Sequence, residues 1–225
     1  MNRSWSLKDL REYVIQECNK DQDLLDLLSS IDHGIDIFRY HFSTARDALT
    51  GFFDSDAKAH REHVERVIGV SEDQEEFQLA KIANEANTIA AIYTVRSVFD
   101  LFSQLTRGLL LEDKLSKEAC NIYRVRDHLE EGDLRTAIER LLKSDGFRYI
   151  NAFVNVTKHR SLVKYGSLVD FVNDKAGVRF SAFEYRKEVY PKLWSEEILE
   201  KILTTKNEIV AAGIALNDRL IPQQA

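Results

Sequence analysis

Proline is almost missing from this chain: two occur in 225 residues, at positions 191 and 222. Proline breaks helix interiors, so its absence from the first 190 residues permits long uninterrupted helices. Cysteine is equally scarce, with Cys18 and Cys120 alone and no CxxC pair. That excludes a disulfide framework and predicts free buried thiols in a reducing, cytoplasmic compartment. No apolar run approaches the roughly 18 residues of a membrane span, and the opening MNRSWSLKDLREY has no apolar signal core. GxxxxGK[ST], GxGxxG and GxSxG are all absent, which excludes a P-loop ATPase, a Rossmann enzyme and a nucleophile-elbow hydrolase as far as motifs can.

Metal chemistry finds little support. The cluster His60-Arg61-Glu62-His63 lacks a well-placed third ligand, and neither HExxH nor a Glu-x-x-His pair occurs. No metal and no cofactor are expected. The net charge of −6 argues against broad binding to a polyanion, since such affinity comes from phosphate neutralisation by Lys and Arg. It leaves room for a local basic site on an acidic body.

What the chain has in quantity is helical periodicity. Ser4 and Ser6 offer N-caps for a helix to about Asn19. From about residue 21, Leu24, Leu27, Leu28, Ile31, Ile35, Phe38, Phe42, Ala45, Leu49 and Phe52 keep the rhythm of one helical face. His33 and His41 lie within that rhythm and read as structural histidines. A shorter polar helix is expected over Ala57–Ile68. The longest pattern runs from about Glu75 to Leu111, roughly 50 Å at 1.5 Å per residue, and serves as a spine. Gly132–Lys143 forms another short helix, and Ser144–Asp145 caps the next. His128, in YRVRDHLEEGD, reads as solvent-facing.

After that the period changes. Ser167–Val172 and Val178–Tyr185 alternate in polarity around the turn-rich Asn173–Gly177, which predicts one β-hairpin. Ser195-Glu196-Glu197 opens a last helix to about Leu216. The fold class is mainly α, an antiparallel helical bundle with a small β-hairpin before the C-terminal helix. It is read as one domain over 1–225, with N-terminal helices in 1–70 and a core in 75–220.

Two stretches carry chemistry. In NAFVNVTKHRSLV, Asn155, Lys158 and His159 gather on one surface of a helix whose other arc is apolar. An imidazole beside donors is a competent anion or proton site. It is equally the solvated edge of a helix whose last turn is cationic because cations suit a C-terminus. On the spine helix, Arg96, Asp100, Gln104 and Arg107 form a polar line bordered by aromatics. Buried polar groups need partners, so this line reads as a pocket wall in which Asp100 accepts a hydrogen bond from His159.

VRSVFDLFSQL on the long helix, followed by YINAFVNVTKHRSLV and a late hairpin and helix, resembles bacterial proteins of the HEPN superfamily over residues 75–220. The resemblance implies an antiparallel helical bundle, homodimeric, associated with RNA or nucleotide in a defence or stress system. It also implies metal-independent endoribonuclease activity in many members and, in some settings, a cognate antitoxin-like protein partner. The family's catalytic Arg, followed after four to six residues by His, has no counterpart here: Arg124 is too close to His128 and Arg148 too far from His159. With that pair absent, the site expected is His159 as acid or base, Lys158 as cation and Asn155 as orienting amide, with Arg96, Asp100 and Gln104 behind them. The other expectation is a non-catalytic homodimeric module that binds a protein through an exposed apolar face.

Overall fold

Long helices are what a proline-free chain with this spacing should form, and a computed structural model of the protein contains them. The structure describes residues 4–53 and 60–221. About two-thirds of it is helical, with eight helices among the described residues and a small antiparallel strand region before the last. The helices are α1 (Leu7–Glu17), α2 (Gln22–Asp47), α3 (His60–Ile68), α4 (Gln74–Leu110), α5 (Ile122–His128), α6 (Asp133–Lys143), α7 (Asp145–His159) and α8 (Ser195–Leu220). None of these is long and apolar enough to cross a membrane. The part of the expected third helix before His60 lies outside the described residues, as does the His60 side chain.

The chain divides into two compact units, each drawn from separate stretches, with the divisions inside α2, α4, α7 and α8. The first comprises residues up to Ile37, Thr94–Arg148 and Leu203 onward. Its core holds Leu10, Leu28, Val98, Phe102, Ile138 and Leu216. Ser6 caps α1 by accepting from the Asp9 amide at 3.2 Å. Ahead of it, Trp5 sets its ring edge-on to Phe102 and donates its indole N–H to Asn217 Oδ1 at 3.1 Å. This packing needs Gly213, because a Cβ there would overlap the Trp5 ring. α5 has no counterpart among the helices expected from the sequence. It is only seven residues long and three of them are charged, yet Asn121 caps it through two amides and Ile122 and Val125 are buried.

The second unit comprises Phe38–Tyr93 and Tyr149–Ile202. Its strands are β1 (Tyr165–Asp170), β2 (Lys175–Phe180), β3 (Phe183–Tyr185), β4 (Glu188–Tyr190) and β5 (Leu193–Trp194). They form a three-stranded antiparallel sheet in the order β1-β2-β5 and a separate β3–β4 hairpin. The single hairpin read from the sequence is therefore two. Its expected second strand, Val178–Tyr185, breaks after Phe180, where the Ser181 amide donates to the Lys164 carbonyl. The first turn also closes earlier than expected. Asp170 accepts from the amides of Val172 and Asn173, so Phe171 and Val172 are exposed in the turn and not in a strand.

Candidate functional site

α7 begins at the Ser144 cap, whose hydroxyl accepts from the Phe147 amide at 3.2 Å. In the second unit its buried face carries Ile150, Phe153, Val154 and Val156, which leaves Asn151, Asn155, Lys158 and His159 toward or at the surface. Asn155 is half-buried, and its Nδ2 donates to the Asn151 carbonyl one turn back at 2.7 Å. Thr157 shares a 2.7 Å hydrogen bond with the Tyr93 hydroxyl, and the Lys158 ammonium stands 5.8 Å from the centre of the same ring. The His159 ring is exposed and makes no hydrogen bond to the described residues. The next residue, Arg160, reaches the β3 strand and donates to the Glu184 carbonyl at 3.1 Å.

That bond joins the end of α7 to a firmly held hairpin. Phe183 and Tyr190 stack at 5.1 Å with nearly parallel rings. Beneath them Tyr149 meets Phe183 at 5.4 Å and Phe153 meets it at 5.9 Å, both edge-on. Burial pushes the Tyr149 hydroxyl pKa well above the ordinary tyrosine value. The β3–β4 turn is made by Arg186 and Lys187 with φ of 51° and 67°. Two consecutive left-handed residues form the tight turn that suits a twisted hairpin, but it is normally made by Asn-Gly. Long cationic side chains therefore sit where the backbone favours glycine, at a cost of about 1–2 kcal/mol per residue. Arg186 lies 5.2 Å over the Tyr185 ring.

The charge balance of this region differs from that of the whole chain. Residues 158–192 contain eight Lys and Arg against four Asp and Glu, a local +4 in a chain of −6. Lys158, His159, Arg160, Arg186 and Lys187 are all exposed.

The other expected residues lie in the first unit. Arg96 pairs with Asp100 at 2.5 Å, its side chain one-quarter exposed. Gln104 donates to the Lys117 carbonyl and Arg107 to the Leu115 carbonyl, so the lower part of the polar line holds the segment after α4 against the helix. Asp100 has its cation within its own helix.

The histidines behave variously. His33 is exposed, contrary to the structural role read from the sequence: it follows the buried Ile31 by two residues, about 200° around a helix. His41 is half-buried and shares a 2.8 Å hydrogen bond with Asn87 Oδ1. His63 is buried against Phe53, and His128 Nδ1 lies 2.8 Å from the Arg124 carbonyl. Among the described residues no cluster of His, Cys, Asp and Glu fits a metal ion. Both cysteines are free and half-buried, and burial pushes the Cys120 thiol up to about 11, which leaves it a poor nucleophile.

One polar centre has no place in the sequence reading. Asn84, only 2% exposed on α4, donates to the Ala45 carbonyl at 2.7 Å. Its Oδ1 accepts from the Tyr165 hydroxyl at 2.6 Å and from the buried Ser195 hydroxyl at 2.7 Å. It thus ties α2, α4, β1 and the start of α8 together. The signal for it is position: Phe77, Asn84, Thr88, Ala91 and Val95 follow one helical stripe, so an amide and a hydroxyl occupy core positions. No family model matches the chain, and no curated protein or solved structure shows significant similarity to it.

Proposed function

We propose that the protein is an HEPN-like RNA-binding protein that acts as a divergent, metal-independent ribonuclease. The observation that carries this is the exposed His159, flanked by Lys158 and Arg160 and joined through the Glu184 carbonyl to a hairpin that ends in Arg186 and Lys187. Cations on such a strip neutralise successive backbone phosphates, and Tyr185 offers a ring on which a base stacks. An imidazole on the strip can take the proton of a ribose 2′-hydroxyl as it attacks the adjacent phosphorus. The P–O5′ bond then breaks, giving a 2′,3′-cyclic phosphate and a 5′-hydroxyl, whose proton comes from the protonated His159 directly or through a water. Lys158 stabilises the negative charge developing on the phosphorus oxygens. Asn155, bonded back to Asn151, positions the last turn of the helix.

The test is binding and cleavage of a labelled single-stranded RNA with EDTA present. Arg186→Glu/Lys187→Glu should weaken binding uniformly across sequences. It should also flatten the slope of log affinity against log salt by about 0.7 for each phosphate that is no longer neutralised. His159→Ala should leave binding intact and abolish cleavage. Binding unchanged by the double reversal, or cleavage unchanged by His159→Ala, refutes the corresponding half of the reading.

A second reading rests on a different observation. Leu79 and Ile82 on α4 are 64% and 58% exposed, and Ala86 continues the same stripe at helical spacing. This apolar edge suits a non-catalytic module that docks a protein partner or a second copy. Leu79→Asp/Ile82→Asp, followed by sedimentation, decides it: loss of self-association or of a co-purified partner favours the module.

A further inference from the structure

A cavity of about 280 Å³ lies within the second unit, beside Asn84. It is a cleft half open to solvent, with Arg46, Thr50 and Glu196 at its exposed rim and Gly177, Val178, Ser195 and Leu199 buried in its wall. Its volume lies just below the range of drug-sized ligand pockets, which runs from roughly 300 Å³ upward, so any occupant is small.

The chemistry of its walls narrows the occupant. Leu49, Phe53, Val178 and Leu199 give it apolar sides and one aromatic ring. At its base are two buried polar groups, Asn84 and Ser195. Asn84 Nδ2 makes one hydrogen bond, to the Ala45 carbonyl, and so carries a second amide hydrogen for an acceptor. Ser195 Oγ donates to Asn84 and keeps its own lone pairs for a donor. Donor and acceptor capacity therefore stand side by side on an otherwise apolar wall. The charged groups at the cavity are compensated: Arg46 pairs with Asp47 at 2.7 Å, and Glu196 with Lys175 at 3.1 Å. With both charges already neutralised, an uncharged ligand fits the cleft without competing with either pair.

We propose that this cavity is a binding site for a small, uncharged, planar molecule bearing an adjacent hydrogen-bond acceptor and donor, of the aryl-amide type. Its ring packs among Phe53, Leu49 and Val178, and its amide meets Asn84 and Ser195. The site is independent of the basic strip on α7 and the β3–β4 hairpin, and stands or falls without it.

Benzamide serves as the probe and toluene as the control of matching shape without the polar edge. In the full-length protein, millimolar benzamide should shift the backbone amide resonances of Thr50, Gly177, Val178 and Ser195. Toluene should bind at least tenfold more weakly. Thr50→Trp, placed at the exposed edge of the cavity, should raise the benzamide dissociation constant at least tenfold while leaving the circular dichroism unchanged. The shift map uses the parent protein and so does not depend on how the variant folds. The proposal is overturned if benzamide shifts no resonance in this set, if toluene binds as tightly, or if a folded Thr50→Trp protein binds benzamide as the parent does.

Discussion

Gly213 gives the sharpest test of the packing, because two physical arguments predict opposite signs. It lies inside α8, where replacement of glycine by alanine stabilises an exposed helix by about 1 kcal/mol. Here a Cβ would overlap three atoms of the Trp5 ring, the farthest of them, Cε3, at 2.7 Å. No side chain tolerates that approach, so the indole has to leave. Trp5 is 9% exposed. A tryptophan buries about 200 Å², worth roughly 5 kcal/mol at 25 cal/mol per Å² if it is fully expelled. Partial displacement loses about half of this, and the bond to Asn217 adds about 1 kcal/mol. Net of the helical gain, Gly213→Ala should destabilise by about 2.5–5 kcal/mol, the lower figure for half displacement and the upper for full expulsion. Urea unfolding followed by circular dichroism measures the difference. Trp5 emission, read in a Trp194→Phe background because the chain has two tryptophans, should move to longer wavelength. In a Trp5→Ala background the same substitution should become stabilising by about 1 kcal/mol. A Gly213→Ala protein as stable as its parent, with Trp5 emission unmoved, would refute the reasoning.

Two further predictions concern buried hydroxyls. Asn84 Oδ1 accepts from both Tyr165 and Ser195, so Tyr165→Phe or Ser195→Ala alone leaves it one donor and should cost about 1 kcal/mol each. The double variant orphans a buried carbonyl and should cost about 1–2 kcal/mol more than the sum, a coupling that a double-mutant cycle in urea reads directly; additive effects would break the shared-acceptor account. Tyr149 and Tyr165 also govern the alkaline limit. Burial raises both pKa values above the unfolded value near 10, so each hydroxyl stays protonated in the folded state. Their contribution is complete below about pH 10 and is lost as pH rises beyond it, by roughly 1.4 kcal/mol per pH unit for each tyrosine. Stability measured across that range should fall steeply in the parent and only weakly in Tyr149→Phe/Tyr165→Phe. Parallel curves would sink the assignment.

What can be read in the sequence depends on whether a single element holds the information. The 3.6-residue rhythm in α2 and α4 is a property of one helix, and so is the Ser144 cap of α7, so these elements are recoverable from spacing and capping chemistry. α5 is hidden because seven residues, two of them buried, are too few to give a periodic stripe; it is held by Asn121 and by burial of Ile122 and Val125. The β3–β4 hairpin is hidden because Arg186-Lys187 carries no turn signal, and its geometry is enforced by Phe183 and Tyr190 packing on Tyr149 and Phe153. The candidate site follows the same division. Periodicity puts Asn155, Lys158 and His159 on one edge of α7, since that relation is internal to the helix. It has no means of finding the Glu184 carbonyl, twenty-four residues beyond Arg160, and so no means of supplying the second bank of cations. Asn84 is the converse case. Its side chain satisfies three elements that approach it from elsewhere in the chain, so a polar residue stands where helical spacing alone requires an apolar one. A local rule broken at Asn84 therefore marks long-range partners, whereas Thr88, buried on the same stripe four residues on, breaks the same rule with a hydroxyl that makes no hydrogen bond to the described residues, so a polar residue in a core position does not by itself identify a partner.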